Sequence, residues 1–312
     1  MAEITRTAKS GSDWSTNELL AYRITFKNIP PIEFFRPGRP GPHPSSSLEH
    51  LDSTPASVTP VSSPDNPDSG LLTALPGSSL DHLDPGLLTS PPGSTDRNLS
   101  HETLEYLAYL GLATHVATQT SMIDNFARKT LDLLGFSGLY LVPINGYAIP
   151  FTICGETHLM APTNVCVIYR YNFVLLVLIQ DTAPVGGTDA AEARAVAGAV
   201  AAFQVNNRQR ESLSLASLES MMIPCIILSG TCPTFYLVPV SQGLSNAVAT
   251  GQCPPSQTEV LKCATLLRNA TGNRRHARHS MGDTEYRKLA FQHFLAFKTL
   301  ARRHWGEILQ GV

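Results

Sequence analysis

Residues 173–179, FVLLVLI, leave this chain the fewest choices. Every position is apolar, so neither face of the segment can be left to water. The run is also far short of the roughly 20 residues that a membrane-spanning helix needs. A short, uninterrupted apolar run of this kind predicts a strand covered on both faces, in the middle of a sheet. Residues 165–168, VCVI, precede it across a turn at 170–172 and predict its neighbour in a hairpin. Polar residues stand where one strand begins and the other ends: Asn164 before the first, Gln180-Asp181-Thr182 after the second. An alanine-rich helix over 189–204 follows. It carries Val196, Val200 and Phe203 on one face, and Ala197 and Ala201 allow close packing on the sheet.

The flanking segments fill in an α+β chain. Asn98 or Ser100 can cap a helix with Glu102 in its first turn, and Gly111 is expected to interrupt it. Residues 121–134 place Ile123, Phe126, Ala127, Thr130 and Leu134 at helical spacing before Gly135. Residues 139–142 and 147–153 predict strands, separated by Pro143 and the Asn145-Gly146 turn. Beyond Gln204 the chain turns polar (VNNRQRES), then 223–228 and 234–240 predict a hairpin closed at 230–233. Residues 241–250 predict a short helix, and 259–267 fit either a strand or a helix. Residues 283–309 carry Tyr286, Ala290, Phe294, Phe297, Leu300, Ala301 and Ile308 on one helical stripe, with Arg287, Lys288, Arg302 and Arg303 expected in solvent. At the start, 17–22 and 24–26 suggest a helical turn running into a strand. Residues 1–35 thus read as an arm that adds to the core or covers a sheet edge, against the plainer reading of an unpaired flexible arm.

Composition matters most over residues 36–97, where proline, serine, glycine and aspartate dominate (PGRPGPHPSSS, TPVSSPDNPDSG, LTSPPGSTD). Such a stretch buries too little apolar surface to offset its chain entropy, so it is expected to be a disordered insert. Within it SLEHLD (47–52) returns as SLDHLD (79–84), and GLLT (70–73) as GLLT (86–89). This internal duplication reads as expansion of a neutral insert rather than a partner-docking motif, and His50 and His82 alone make no metal site. Residues 98–312 remain as one folded domain. A formal charge of −2 favours neither nucleic acid nor an acidic partner. The six cysteines show no C-x-x-C pair; Cys154, Cys166, Cys225 and Cys232 read as small buried hydrophobes, which suits a reducing setting. With no signal-peptide pattern at the amino terminus, the expectation is an intracellular protein of cytoplasm or nucleus, not one held in a membrane. The glycosylation patterns at Asn98 and Asn269 then read as chance.

The strings NELLAYRIT, IDNFARKTLDLLGF, FTICGETH, TNVCVI, LLVLIQD, EARAVAGAVAAFQVNN, IPCIILSGTCPTFYLVPV and FLAFKTLARR, in this order, carry a resemblance. They resemble the PD-(D/E)xK nuclease superfamily, the restriction-endonuclease-like fold, and within it a large group of uncharacterised fungal proteins. The proline-rich insert is foreign to that pattern. The resemblance implies an αβββαβ core with a mixed sheet, followed here by a carboxy-terminal helix. It also implies a site at the hairpin rim: an acidic residue opening one strand, an E-x-K triplet ending the next, and a glutamine on the following helix. Two carboxylates there hold a magnesium-class ion, which prefers hard oxygen ligands, and the lysine offsets developing charge.

At the corresponding positions this chain carries Asn164, Gln180, Thr182 and Arg194, the last within Glu192-Ala193-Arg194. Amides are poor magnesium ligands, and threonine supplies no cation, so no catalytic set is intact and no cofactor is expected. Asp181 keeps a carboxylate, but adjacent strand residues face opposite sides, which turns it away from the rim. Two readings compete. One is a non-catalytic pseudo-nuclease that serves as a protein- or nucleic-acid-binding module. The other is an active magnesium- or manganese-dependent endonuclease whose site has moved to Asp181 and Glu156, with His158 nearby. A decaying gene copy is the bland third. Arg274, Arg275 and Arg278 form the most basic patch and are candidates for phosphate contact, although a solvated loop explains them equally well.

Overall fold

A computed structural model describes residues 7–36, 75–115, 120–170, 172–182, 189–267 and 280–312. The chain opens with α1 (Thr16–Ala21), β1 (Ile24–Asn28) and the single turn α2 (Pro31–Phe34). Three helices follow: α3 (Pro85–Thr89), α4 (His101–His115) and α5 (Thr120–Leu133). Next come β2 (Leu141–Asn145), β3 (Ala148–Ile153), β4 (Glu156–Pro162), β5 (Val165–Tyr169) and β6 (Phe173–Asp181), and then the long helix α6 (Asp189–Ser212). The remainder is β7 (Ser220–Ser229), β8 (Cys232–Ser241), α7 (Gln242–Thr250), β9 (Thr258–Ala264) and α8 (Thr284–Ile308).

Among the described residues seven strands form one mixed sheet in the order β1-β9-β8-β7-β6-β5-β2, and β3 and β4 pair as a separate hairpin. The protein is therefore of the α+β class. Every residue of β6 is buried, and the strand lies inside the sheet, antiparallel to β5 and parallel to β7. A parallel step requires a crossover, which α6 supplies. Strand β8 shows which helices share a face. Phe235 packs on Phe294 and Phe297 of α8, whereas the next residue, Tyr236, donates its hydroxyl to Glu192 of α6 at 2.9 Å. Tyr106 of α4 joins Phe126 of α5 to Phe291 of α8, which puts those three helices together. Helix α6 is thus held between the sheet and the β3–β4 hairpin. A helix covered on two sides must be small and apolar nearly all round, hence its alanines. At Gly198 a Cβ would lie 2.9 Å from Val177 Cγ1.

Several expectations need correction. Helix α6 does not stop at Gln204, because its polar end is buried and bonded. Asn206 accepts from Val174 N at 2.8 Å and donates to Val174 O at 2.9 Å. Gln204 does the same for Thr152, and Asn207 for Leu218. The Gln204 and Asn206 carboxamides stand in for missing strand neighbours of β3 and β6, and that of Asn207 holds the loop before β7. Arg210 reaches the carbonyls of Ala216, Ile308 and Gln310. Pro143 lies inside β2 rather than ending a strand; β2 is the sheet's edge, where a missing N–H can be tolerated. Strand β4 is mostly exposed, so no apolar alternation announced it. Helix α4 runs through Gly111 and uses that residue for close approach: a Cβ there would lie 3.2 Å from Gly93 N. Arg287 is not in solvent but fully buried. Of segment 259–267, the part up to Ala264 is strand β9 and 265–267 lie outside any element, and all six cysteines are free.

The disorder expected across residues 36–97 does not hold for residues 75–97, while 37–74 lie outside the described residues. Asp84 caps α3 by accepting from Gly86 N at 2.9 Å, and it also accepts from Ser100 Oγ and Thr103 Oγ1 at 3.0 and 2.6 Å. Leu83 and Leu87 are buried in the core. Gly93 N donates to Leu107 O at 2.8 Å, and Arg287 Nη2 to Ser90 O at 2.7 Å. The amino-terminal arm is also packed. Strand β1 pairs in parallel with β9, and Trp14, Tyr22, Phe34 and Phe35 are buried. Among the described residues no helix is long and apolar enough to cross a membrane.

Candidate functional site

The rim is built where β4 turns into β5. Thr163 fixes the entry by donating its backbone N–H and its hydroxyl to Tyr147 O at 2.9 and 2.8 Å. Asn164 is then held through its backbone: its carbonyl accepts from Gly146 N, and its N–H donates to Leu178 O. Its side chain is used in both directions. Oδ1 accepts from Gln180 N at 2.7 Å, and Nδ2 donates to Asp124 Oδ1 of α5 at 3.0 Å. From the helix on the other face, Arg194 Nη2 donates to Gln180 O at 2.7 Å. The structure thus gathers Asn164 and Arg194 around the backbone of one β6 residue, Gln180, whose N–H one takes and whose carbonyl the other takes. Thr182 follows directly and is exposed.

Burial governs the charges. It raises the Asp124 carboxyl pKa, against which the Asn164 hydrogen bond acts. It lowers the Arg194 pKa, with the Asp181 charge opposing. Gln180 is buried, and its Oε1 has no hydrogen-bond partner among the described residues. Asp181 is buried on the α6 side, within electrostatic reach of Arg194 and Tyr236. On that side Glu192 is also buried, accepting from Tyr236 Oη at 2.9 Å and from Lys262 Nζ at 2.5 Å. Burial, followed by the Glu192 charge, raises the Tyr236 pKa, so this phenol stays a donor.

Glu156 lies elsewhere. It sits at the turn of the β3–β4 hairpin, exposed, 3.2 Å from His158 Nδ1. There the neighbouring Cys154 and Gly155 donate to Val248 and Ala249 of α7. The far end of β4, Pro162, is what adjoins Asn164. A strand rises about 3.3 Å per residue, so six residues carry Glu156 roughly 20 Å from that end. The fold leaves Glu156 on the hairpin surface and Asp181 in the interior. Among the described residues no group of three or more histidine, cysteine, aspartate or glutamate side chains is placed to hold a metal ion. Arg274, Arg275 and Arg278 lie outside the described residues.

Two groups at the rim carried no sequence signal. Asp124 sits in IDNFARK, where a polar residue on an amphipathic helix reads as solvent-facing, and nothing local ties it to Asn164. Asn145 Nδ2 donates to Asn125 Oδ1 at 2.9 Å in the same region, though the Asn145-Gly146 pair reads only as a turn. Compared with known proteins, the chain matches no family model, and no curated protein matches it in sequence.

Proposed function

We propose that this chain is a pseudo-nuclease: a protein of the PD-(D/E)xK type whose metal centre has become a structural clasp, and which acts by binding protein or nucleic acid. The observation that carries the reading is the two-way use of the Asn164 amide. A metal-binding aspartate at that position could accept from Gln180 N, but it could not donate to Asp124. Asparagine is therefore the residue this rim requires. With Gln180 and Thr182 replacing a carboxylate and a lysine, the rim loses both its attraction for magnesium and a transition-state contact. Loss of one electrostatic contact of that kind typically costs on the order of a hundredfold in rate. The burial of Asp181 and the remote position of Glu156 argue against a relocated site.

The test is plasmid cleavage and calorimetry with magnesium and manganese. The natural protein is expected to leave supercoiled DNA intact and to give no saturable heat. The triple variant Asn164→Asp, Gln180→Glu, Thr182→Lys is expected to gain saturable ion binding. Magnesium-dependent cleavage by the natural protein, abolished by Asp181→Ala or Glu156→Ala, overturns the reading. If nucleic acid is the partner, its affinity falls steeply with salt, linearly in log K against log salt.

A further inference from the structure

Residues 47–94 are three consecutive units of sixteen: SLEHLDSTPASVTPVS (47–62), SPDNPDSGLLTALPGS (63–78) and SLDHLDPGLLTSPPGS (79–94). The second and third units share Ser, two Asp, Gly-Leu-Leu-Thr and Pro-Gly-Ser at matching positions. The third is the unit docked between α4 and α8. Its anchoring contacts fall largely on residues that the second unit repeats. Asp84, which holds Gly86 N, Ser100 Oγ and Thr103 Oγ1, corresponds to Asp68. Gly86, where a Cβ would lie 2.3 Å from Leu99 Cδ2, corresponds to Gly70. Leu87, 1 % exposed, corresponds to Leu71. Gly93, at φ +69°, lies against Gly111, donates to Leu107 O and corresponds to Gly77.

Positions that differ are mostly ones the dock does not read. His82, Pro85 and Pro91 are exposed, and the second unit has Asn66, Ser69 and Leu75 there. Ser90 offers Arg287 only its backbone carbonyl, which Ala74 would offer equally. The costs of exchange are Leu83, replaced by Pro67, the partly buried Leu80, replaced by Pro64, and the packing that Leu75 and Ser78 of the second unit have where they now stand. Arg287 makes the dock demanding. It is fully buried, and its Nε and Nη1 have no hydrogen-bond partner among the described residues, so losing the carbonyl at position 90 would strip the guanidinium further.

We infer that the groove between α4 and α8 is a receptor for an Asp-x-Gly-Leu-Leu-Thr segment, and that residues 63–78 of the same chain can occupy it in place of residues 79–94. Deleting 79–94 leaves Asp68 at the same spacing from Ser100 that Asp84 has in the full chain, so the second unit then enters the groove in register.

Thermal melting of the otherwise full-length chain tests this with three deletions: 63–78, 79–94 and 63–94. Deletion of 63–78 is expected to melt within about 3 °C of the full chain, and the double deletion about 10 °C lower or more. Deletion of 79–94 is expected to melt clearly above the double deletion, short of the full chain by the loss of Leu80 and Leu83. Asp68→Ala is expected to be silent in the full chain. In the 79–94 deletion it lowers Tm by about 2–4 °C, the size of one lost helix cap. The inference fails if deletion of 79–94 melts with the double deletion while deletion of 63–78 does not. It fails equally if the double deletion leaves Tm unchanged, or if Asp68→Ala has no effect in the 79–94 deletion. Should the double deletion not fold, the Asp68→Ala comparison decides alone.

Discussion

Asn164 shows how a single amide can rewrite a site. Its position was legible in the sequence as the residue opening a buried strand, but its use was not, because the partner Asp124 is forty residues away and has no local mark. Asn164→Asp is expected to destabilise the protein by about 1–3 kcal/mol at neutral pH, since it exchanges a hydrogen bond for two facing carboxylates. The second carboxylate pushes Asp124 further in the direction that burial already takes it. A folded-state pKa raised above its unfolded value gives stability that is present at low pH and lost as pH rises through it. The deficit in urea unfolding should therefore be larger at pH 8 than at pH 5, and a variant equally stable at both would contradict the clasp. His293 works in the opposite sense. It lies against Phe35 and Phe235, 2.9 Å from Thr265 Oγ1, and burial lowers its pKa from 6.5 to about 4. The folded protein holds it neutral, so its contribution is complete above pH 6.5 and is lost as pH falls towards 4; the lowered pKa of His304 adds in the same direction. Up to roughly 3 kcal/mol rides on His293 over that window. His293→Gln, which keeps a polar partner for Thr265 but does not titrate, should flatten the acid limb of stability against pH.

Among the elements, those that bury apolar residues on a regular period could be read in advance. Strands β5 and β6, the β7–β8 hairpin, α5 and α8 fall close to where their patterns put them. What the pattern hides is polar burial. The string VNNRQRES looks like the end of a helix, yet Asn206 is fully buried and its carboxamide completes the hydrogen bonding of β6 where β7 does not pair with it. Asn206→Leu keeps the branched outline of the side chain, with two bulkier methyl groups, and leaves Val174 N–H and C=O both unpaired in the interior. At about 1–3 kcal/mol for each unsatisfied group, the loss should come to about 2–6 kcal/mol by urea denaturation. Gln204→Leu should cost less, because Thr152 is only half-buried. If the two variants are equally mild, α6 is held by its apolar face alone and the amides are incidental.

For the whole molecule, the arm and the described part of the proline-rich tract, residues 75–97, both turn out to be parts of the body. Composition misjudged residues 75–97 because a few well-placed leucines, an aspartate cap and a buried arginine suffice to dock a segment that is otherwise rich in glycine and proline. The arm was partly legible from its helix-to-strand pattern. Its weight lies in aromatic residues that join distant elements. Trp14 stacks on Tyr22 at 5.4 Å and meets Phe151 of the hairpin at 5.7 Å, while Phe34 and Phe35 reach Phe297 of α8 and Phe235 of β8. Strand β1 also covers the free edge of β9. A chain that begins at residue 37 would therefore expose the apolar partners of four aromatic side chains and an unpaired strand edge together. Truncating a single buried aromatic typically costs about 3–5 kcal/mol, and whole domains are stable by only about 5–15 kcal/mol. The shortened chain is expected to lose its cooperative thermal transition, and a peptide spanning residues 7–36, added in excess, should restore it. A cooperative transition within a few degrees of the full chain, without that peptide, would mean that the sheet from β9 to β2 is self-sufficient and that the arm only decorates it.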